Sequence, residues 1–134
     1  MTRIFDHIDL RVKDLAACEA FYRTLLPLLG FTLRVEIAGW LQFESGGPGA
    51  AEFFGVTEDP DHRPNRTRIA FWADSKSKVD ELARRIAQIG ATAIEGPDFE
   101  APSYYAVYFN DPSGNPLEIC FRSHKFTAGQ AATS

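Results

Sequence analysis

The spacing of apolar residues changes several times along this chain, and each change marks the start of a new element. Residues 5–12 alternate between apolar and polar, which predicts a strand with one polar face. Apolar residues then recur at helical spacing between Asp14 and Gly30, and again between Asp74 and Gly90. Further strands are predicted at residues 31–37, 40–43, 50–54, 66–73, 91–95, 104–109 and 116–122. Loops rich in glycine, proline or polar residues are predicted at 45–49, 57–65 and 96–103.

The last two strands are joined by a short polar turn, Asn110-Asp111-Pro112-Ser113-Gly114-Asn115, and are therefore predicted to form a hairpin. Beyond this turn Glu118 lies between Leu117 and Ile119, on the opposite face of the strand from them. A carboxylate in a strand that is otherwise apolar needs a partner, a ligand or water, because burial of an unpaired charge is costly. Glu118 is therefore the first candidate site residue.

The order strand, helix and three strands is predicted twice, and short segments of the two halves match. DHIDLRV aligns with TRIAFWA, LLGFTLR with QIGATAI, and AAEFFG with PLEICF. This alignment places His7 opposite Arg68 and Glu52 opposite Glu118. If the two halves curl into one cup, these four polar side chains meet on its inner surface.

Length and composition narrow the class of protein. The 134 residues suit one domain at 1–122, with modules at about 1–56 and 66–122 and a flexible tail at 123–134. The net charge of −4 gives no basic surface for nucleic acid, and no apolar run approaches the roughly 18 residues of a membrane span. The N-terminus lacks the form of a signal peptide, and two cysteines are no disulfide framework. We therefore expect a cytoplasmic protein.

The chain resembles the glyoxalase / bleomycin-resistance / extradiol-dioxygenase group, the vicinal oxygen chelate superfamily. The resemblance rests on three segments in order, DHIDLRVKDLAACEAFYRTLLPLLGF, RIAFWADSKSKVDELARRIAQIGA and YYAVYFNDPSGNPLEICF. It implies an α+β fold of two βαβββ modules, whose eight strands form an open cup with the helices outside. Members commonly hold one divalent metal ion in the cup, with ligands from the first and last strand of each module.

Carried over by position, the resemblance implies that His7, Glu52, Arg68 and Glu118 occupy the metal positions. Arg68 departs from the pattern, because metal-using relatives typically have His there and a guanidinium has no free lone pair. The remaining His7, Glu52 and Glu118 could hold divalent Mn, Fe, Ni or Zn. Alternatively, Arg68 replaces the metal, pairs with Glu118 or Glu52, and binds an anionic ligand with its other donors.

The sequence is compatible with two classes of function. In the first, the chain is an enzyme acting on a small oxygenated molecule by lyase or isomerase chemistry, in which Glu118 and His7 move protons and a metal stabilises charge. In the second, it is a metal-free protein that binds or sequesters a small molecule, as drug-resistance relatives do. Metal-free catalysis by Glu118 and His7 is intermediate between them.

Ligand contacts and assembly are predicted in the same way for both classes. The resemblance implies a homodimer that binds a small-molecule ligand. Candidate ligand-binding residues are the cation and the aromatic side chains expected to line the cup, Arg68, Trp40, Trp72, Tyr104 and Tyr108.

Overall fold

In the computed structural model, which describes residues 3–123, the chain forms two helices and eight strands. The helices are α1 (Leu15–Leu29) and α2 (Lys76–Ile89). The strands are β1 (His7–Val12), β2 (Leu33–Ile37), β3 (Trp40–Glu44), β4 (Phe53–Glu58), β5 (Ile69–Trp72), β6 (Thr92–Ala101), β7 (Tyr104–Asn110) and β8 (Pro116–Arg122). Apart from Ser123, the predicted flexible tail lies outside the described residues.

The strands form two four-stranded sheets with one topology. Sheet A has the order β1-β4-β3-β2, and sheet B has the order β5-β8-β7-β6. In each sheet the first strand of the module runs parallel to its last strand, and the other neighbours are antiparallel. The βαβββ unit therefore occurs twice, which confirms the predicted α+β fold.

Each helix begins and ends where the sequence signals it. The side chains of Asp14 and Ser75 cap the first turns of α1 and α2 by accepting backbone N–H groups. Gly30 and Gly90 end the helices in the left-handed conformation, with φ of 115° and 111°. Within the described residues, neither helix has the length and apolarity that a membrane crossing requires.

Both helices pack on one side of the sheets, and a single apolar core joins the two modules. The helices contact each other, and the rings of Phe54 in β4 and Phe71 in β5 lie 5.5 Å apart. Side chains alternate along each strand, so every second residue points away from this core. We call the side of each sheet that is turned away from the helices its open face.

The predicted bounds of two strands differ most from the structure. β4 begins at Phe53, whereas the sequence placed this strand at residues 50–54, because the adjacent Phe53 and Phe54 fit two alternation patterns equally well. β6 continues to Ala101 and includes most of the predicted loop at 96–103. Gly96 there marks an irregularity within a strand: its φ is +90°, and a Cβ would lie 2.9 Å from the Ala106 carbonyl oxygen.

The β7–β8 turn is held by a buried carboxylate. Asp111 has no exposed surface, and it accepts hydrogen bonds from the Tyr22 hydroxyl, the Ser113 amide, and the backbone and side-chain amides of Asn115. Asn115 also donates to the Arg11 carbonyl at 2.9 Å and bonds the His62 ring at 2.8 Å. The turn therefore ties β8 to α1, β1 and the connector between the modules.

Candidate functional site

The strand pairing shows which residues of the two sheets occupy equivalent positions. In sheet A, Gly55 of β4 pairs with Asp9 on β1 and Gln42 on β3. In sheet B, Glu118 of β8 pairs with Ala70 on β5 and Tyr108 on β7. Asp9 and Ala70 correspond, because each lies two residues after the aligned His7 and Arg68. Gly55 is therefore the counterpart of Glu118.

The predicted equivalence of Glu52 with Glu118 is thus wrong. Glu52 is exposed and lies just before the start of β4. It is three positions before Gly55, the counterpart of Glu118. The predicted strand begins at residue 50, three residues before β4. The alignment matched Glu52 with Glu118 because they are the only carboxylates of the two segments, and this match shifted the strand register by three residues.

Glu118 lies on the open face of sheet B and is 6% exposed. Its carboxylate accepts a hydrogen bond from the hydroxyl of Tyr104. Burial is the main reason that the pKa of Tyr104 lies well above its ordinary value, and bonds to Cys120 and Glu118 raise it further. Tyr104 therefore stays protonated and holds Glu118 as an acceptor.

Arg68 lies on the same open face but forms neither of the predicted carboxylate pairs. Its guanidinium carbon lies 4.6 Å from the centre of the Tyr108 ring, in cation–π contact. The ion pairs of residues 3–123 do not include it, so the predicted bridge to Glu118 or Glu52 is absent there. An exposed cation stacked on a ring keeps donors at its edges for a ligand.

His7 is placed on the open face of sheet A. Its Nδ1 lies 2.7 Å from the Asp6 carboxylate, and its ring stacks on Phe53 with the centroids 4.3 Å apart. A carboxylate on Nδ1 favours the tautomer in which Nε2 carries the lone pair. The geometry therefore suits His7 as a proton acceptor, although the ring is about half exposed.

The predicted ligands for Mn, Fe, Ni or Zn do not form one cluster. His7 and Glu52 line a cleft of about 540 Å³ between β1 and β5, which we call the seam cleft, together with Arg68 but without Glu118. Among the described residues, no three His, Cys, Asp or Glu side chains lie close enough together to hold an ion. Since Arg68 is a fixed cation and Gly55 has no side-chain donor, this donor set does not fit the metal site of metal-using relatives.

The four aromatic candidates are divided between the two sheets. Tyr104 and Tyr108 lie beside Glu118 on sheet B. Trp72 borders the seam cleft and is 65% exposed. Trp40 lies on sheet A, in a second cleft of about 230 Å³ whose floor is Gly55. We call this second one the sheet A cleft.

Gly55 lines the sheet A cleft but is not among the predicted site residues. A signal was available, because an isolated glycine within a strand pattern often marks a place where another group approaches the backbone. The predicted strand ends at residue 54, whereas β4 continues to Glu58 and includes Gly55.

Comparison with known proteins shows which family has this architecture. The sequence profile of the Glyoxalase/Bleomycin resistance protein/Dioxygenase superfamily matches residues 4–119. A crystal structure of a glyoxalase/bleomycin resistance protein from Albidiferax ferrireducens is 28% identical, covers 88% of this chain and 98% of its own, and superposes with a TM-score of 0.72.

Two further structures share the fold at lower identity. A genomically encoded fosfomycin resistance protein from Listeria monocytogenes is 23% identical, with a TM-score of 0.67 over 97% of this chain and 98% of its own. Lactoylglutathione lyase from Agrobacterium tumefaciens is 24% identical, with a TM-score of 0.67 over 90% of this chain and 95% of its own.

Proposed function

Since the chain belongs to the Glyoxalase/Bleomycin resistance protein/Dioxygenase superfamily, we propose that it binds a small, oxygenated anion on the open face of sheet B. Arg68 contacts the anionic group, and no resident metal ion is needed. Structures of this fold include both a resistance protein and a lyase, so the fold alone does not choose between binding and catalysis.

The observation that carries this proposal is the state of Arg68. Its guanidinium is exposed, stacked on Tyr108 and outside the ion pairs of the described residues. A planar guanidinium binds carboxylate or phosphate with two parallel hydrogen bonds, and stacking on a ring fixes its plane. The Glu118 carboxylate contacts the Tyr104 hydroxyl and the Cys120 thiol, and its remaining lone pairs can accept a hydroxyl of the same ligand.

Replacement of Arg68 tests the proposal directly. We expect Arg68→Gln to weaken the binding of small anions about tenfold or more, since hydrogen bonds to charged groups contribute roughly 1.5–3 kcal/mol. Calorimetric titrations with lactate, glycolate and inorganic phosphate measure the effect. Arg66→Gln is the matched control, because it removes the same charge two residues away in the exposed connector.

Two results would contradict anion binding at Arg68. One is equal affinity of the wild type and Arg68→Gln for these anions. The other is that the wild type binds none of the three.

A second candidate function is metal-free acid–base catalysis of the lyase or isomerase kind. It is favoured by the contacts of His7 and Glu118: the Asp6 carboxylate holds Nδ1 of His7, and the Tyr104 hydroxyl and the Cys120 thiol contact the Glu118 carboxylate. In this version Glu118 or His7 removes a proton next to a carbonyl group, and Arg68 binds the oxygen on which negative charge develops.

We also infer that the chain forms a homodimer in the cytoplasm. Members of the superfamily commonly form dimers. In this chain Phe5 and Trp72, two of the most exposed large apolar side chains of residues 3–123, both border the seam cleft. A second copy that packs against these two side chains would remove them from water.

A further inference from the structure

Gly55 lies in the middle of β4, where glycine is a poor choice for the fold. A glycine within a strand destabilises a protein by roughly 0.5–1 kcal/mol relative to alanine, because its unfolded chain has more freedom and it adds no packing. A glycine is therefore expected there only if something needs the missing side chain.

Neither the backbone conformation nor the neighbouring atoms require a glycine at position 55. The φ angle of Gly55 is outside the left-handed region, and its pairing with β1 and β3 continues without a bulge. A Cβ atom at this position would lie 3.7 Å from the Ile8 carbonyl oxygen, 3.9 Å from the Leu41 carbonyl oxygen and 3.9 Å from the Phe53 ring, which are ordinary contacts. Of the usual reasons for a strand glycine, the close approach of a ligand remains.

The sheet A cleft above Gly55 is lined by aromatic rings. The stacked rings of His7 and Phe53, only 4° from parallel, line it together with the indole of Trp40. Its volume of about 230 Å³ is below the roughly 300 Å³ at which pockets for drug-sized molecules begin, so it suits one small ring system.

The polar groups of this cleft indicate an uncharged ligand. Asp9 is neutralised by Arg11 at 3.0 Å and accepts a further bond from the Thr57 hydroxyl at 3.2 Å. The indole N–H of Trp40 donates to the side-chain oxygen of Gln42 at 3.2 Å, which leaves the Gln42 NH₂ group as a donor. A ligand here therefore meets a compensated charge pair and a free amide donor.

We propose that the sheet A cleft binds a flat, uncharged aromatic ring that carries a hydrogen-bond acceptor at its edge, and that Gly55 admits the ring. The ring lies over Gly55, and its acceptor takes a hydrogen bond from the Gln42 NH₂ group. This site is separate from the contact of Arg68 with an anion and does not depend on it.

Benzamide is a suitable probe because it is flat, uncharged and has an amide oxygen. Cyclohexanecarboxamide has the same polar group on a ring that is not flat, and it serves as the matched ligand control. Trp40 and Trp72 are the two tryptophans of the chain, so the fluorescence of a Trp72→Phe variant reports on the cleft alone. We expect benzamide, but not cyclohexanecarboxamide, to quench Trp40 and to bind the wild type in calorimetry.

Substitution of Gly55 separates a ligand site from a structural glycine. We expect Gly55→Ala to weaken benzamide binding about tenfold and Gly55→Val to abolish it, because added methyl groups fill the floor of the cleft. The same Gly55→Ala change should raise the unfolding temperature by roughly 2 °C or more, because alanine is preferred in a strand. Gly46→Ala adds the same methyl group in a loop, where it meets only the Thr32 hydroxyl at 3.6 Å, and should bind benzamide as the wild type does.

Several results would overturn this site. They are unchanged benzamide affinity in both Gly55 variants, a lower unfolding temperature for Gly55→Ala, and no binding to the wild type at about 10 mM benzamide. Since benzamide is uncharged, Arg68→Gln should leave its affinity unchanged, and the two proposals therefore fail independently.

Discussion

At the scale of single residues, two equivalent positions carry opposite side chains. Glu118 is buried and bonded to Tyr104, whereas Gly55, its counterpart in the other module, leaves an open floor. The duplicated fold therefore presents a carboxylate on one sheet and free space on the other. Glu118 and the floor of the sheet A cleft therefore occupy equivalent positions on different sheets.

The role of Glu118 is tested by proton exchange. If Glu118 acts as a base, the wild type should speed the exchange of hydroxyacetone C–H protons for deuterium, and Glu118→Gln should lose about 100-fold or more of this rate. Proton NMR in deuterium oxide follows the exchange. Glu52→Gln is the matched control, because it removes an exposed carboxylate that lies outside β4.

Absence of any acceleration by the wild type would rule out this catalysis while leaving anion binding at Arg68 intact. Equal rates for the wild type and Glu118→Gln would assign the exchange to another group.

At the scale of elements, one turn forms hydrogen bonds between the two modules. Asp111 is fully buried and accepts bonds from the turn itself and from Tyr22 in α1, while Asn115 reaches β1 and His62. β8 starts at the end of this turn, and Glu118 is its third residue.

Removal of the Tyr22 hydroxyl should weaken this network. We expect Tyr22→Phe to lower the free energy of unfolding by roughly 1–3 kcal/mol, since it takes a donor from a buried carboxylate. Urea denaturation at pH 7 measures the change. Tyr108→Phe is the control, because the Tyr108 hydroxyl is not among the donors to Asp111.

The pH dependence of stability is a second test of the hydrogen bond from Tyr22 to Asp111. Burial, followed by Asp111, holds the pKa of Tyr22 well above its ordinary value of 10.0. The contribution of Tyr22 is therefore fully present below pH 10 and is lost as the pH rises further. Tyr22→Phe should show a shallower loss of stability above pH 10 than the wild type. Identical alkaline profiles would contradict this interpretation.

At the scale of the whole molecule, the two sheets share a core but leave the seam cleft open between β1 and β5. Phe5 and Trp72 border this cleft and are 76% and 65% exposed. Exposed apolar side chains grouped around a cleft are typical of an interaction surface. The homodimer we infer would use this surface.

Sedimentation velocity tests the dimer. We expect the wild type to sediment with twice the chain mass of 14.9 kDa, and Phe5→Ser with Trp72→Ser to shift it towards the monomer, because less apolar surface would be buried. Leu33→Ser changes an exposed apolar residue on β2 and serves as the control. A monomeric wild type, or a double variant as dimeric as Leu33→Ser, would contradict this surface.

The sequence by itself determined the duplicated α+β order, because alternation, helical spacing, caps and terminating glycines are local properties of the chain. It also placed His7 and Glu118 on polar strand faces. It could not decide that Gly55 rather than Glu52 corresponds to Glu118, because strand register depends on pairing with residues distant in the sequence. The tertiary structure likewise decided that Arg68 stacks on Tyr108 rather than pairing with a carboxylate, since a long side chain has several partners within reach.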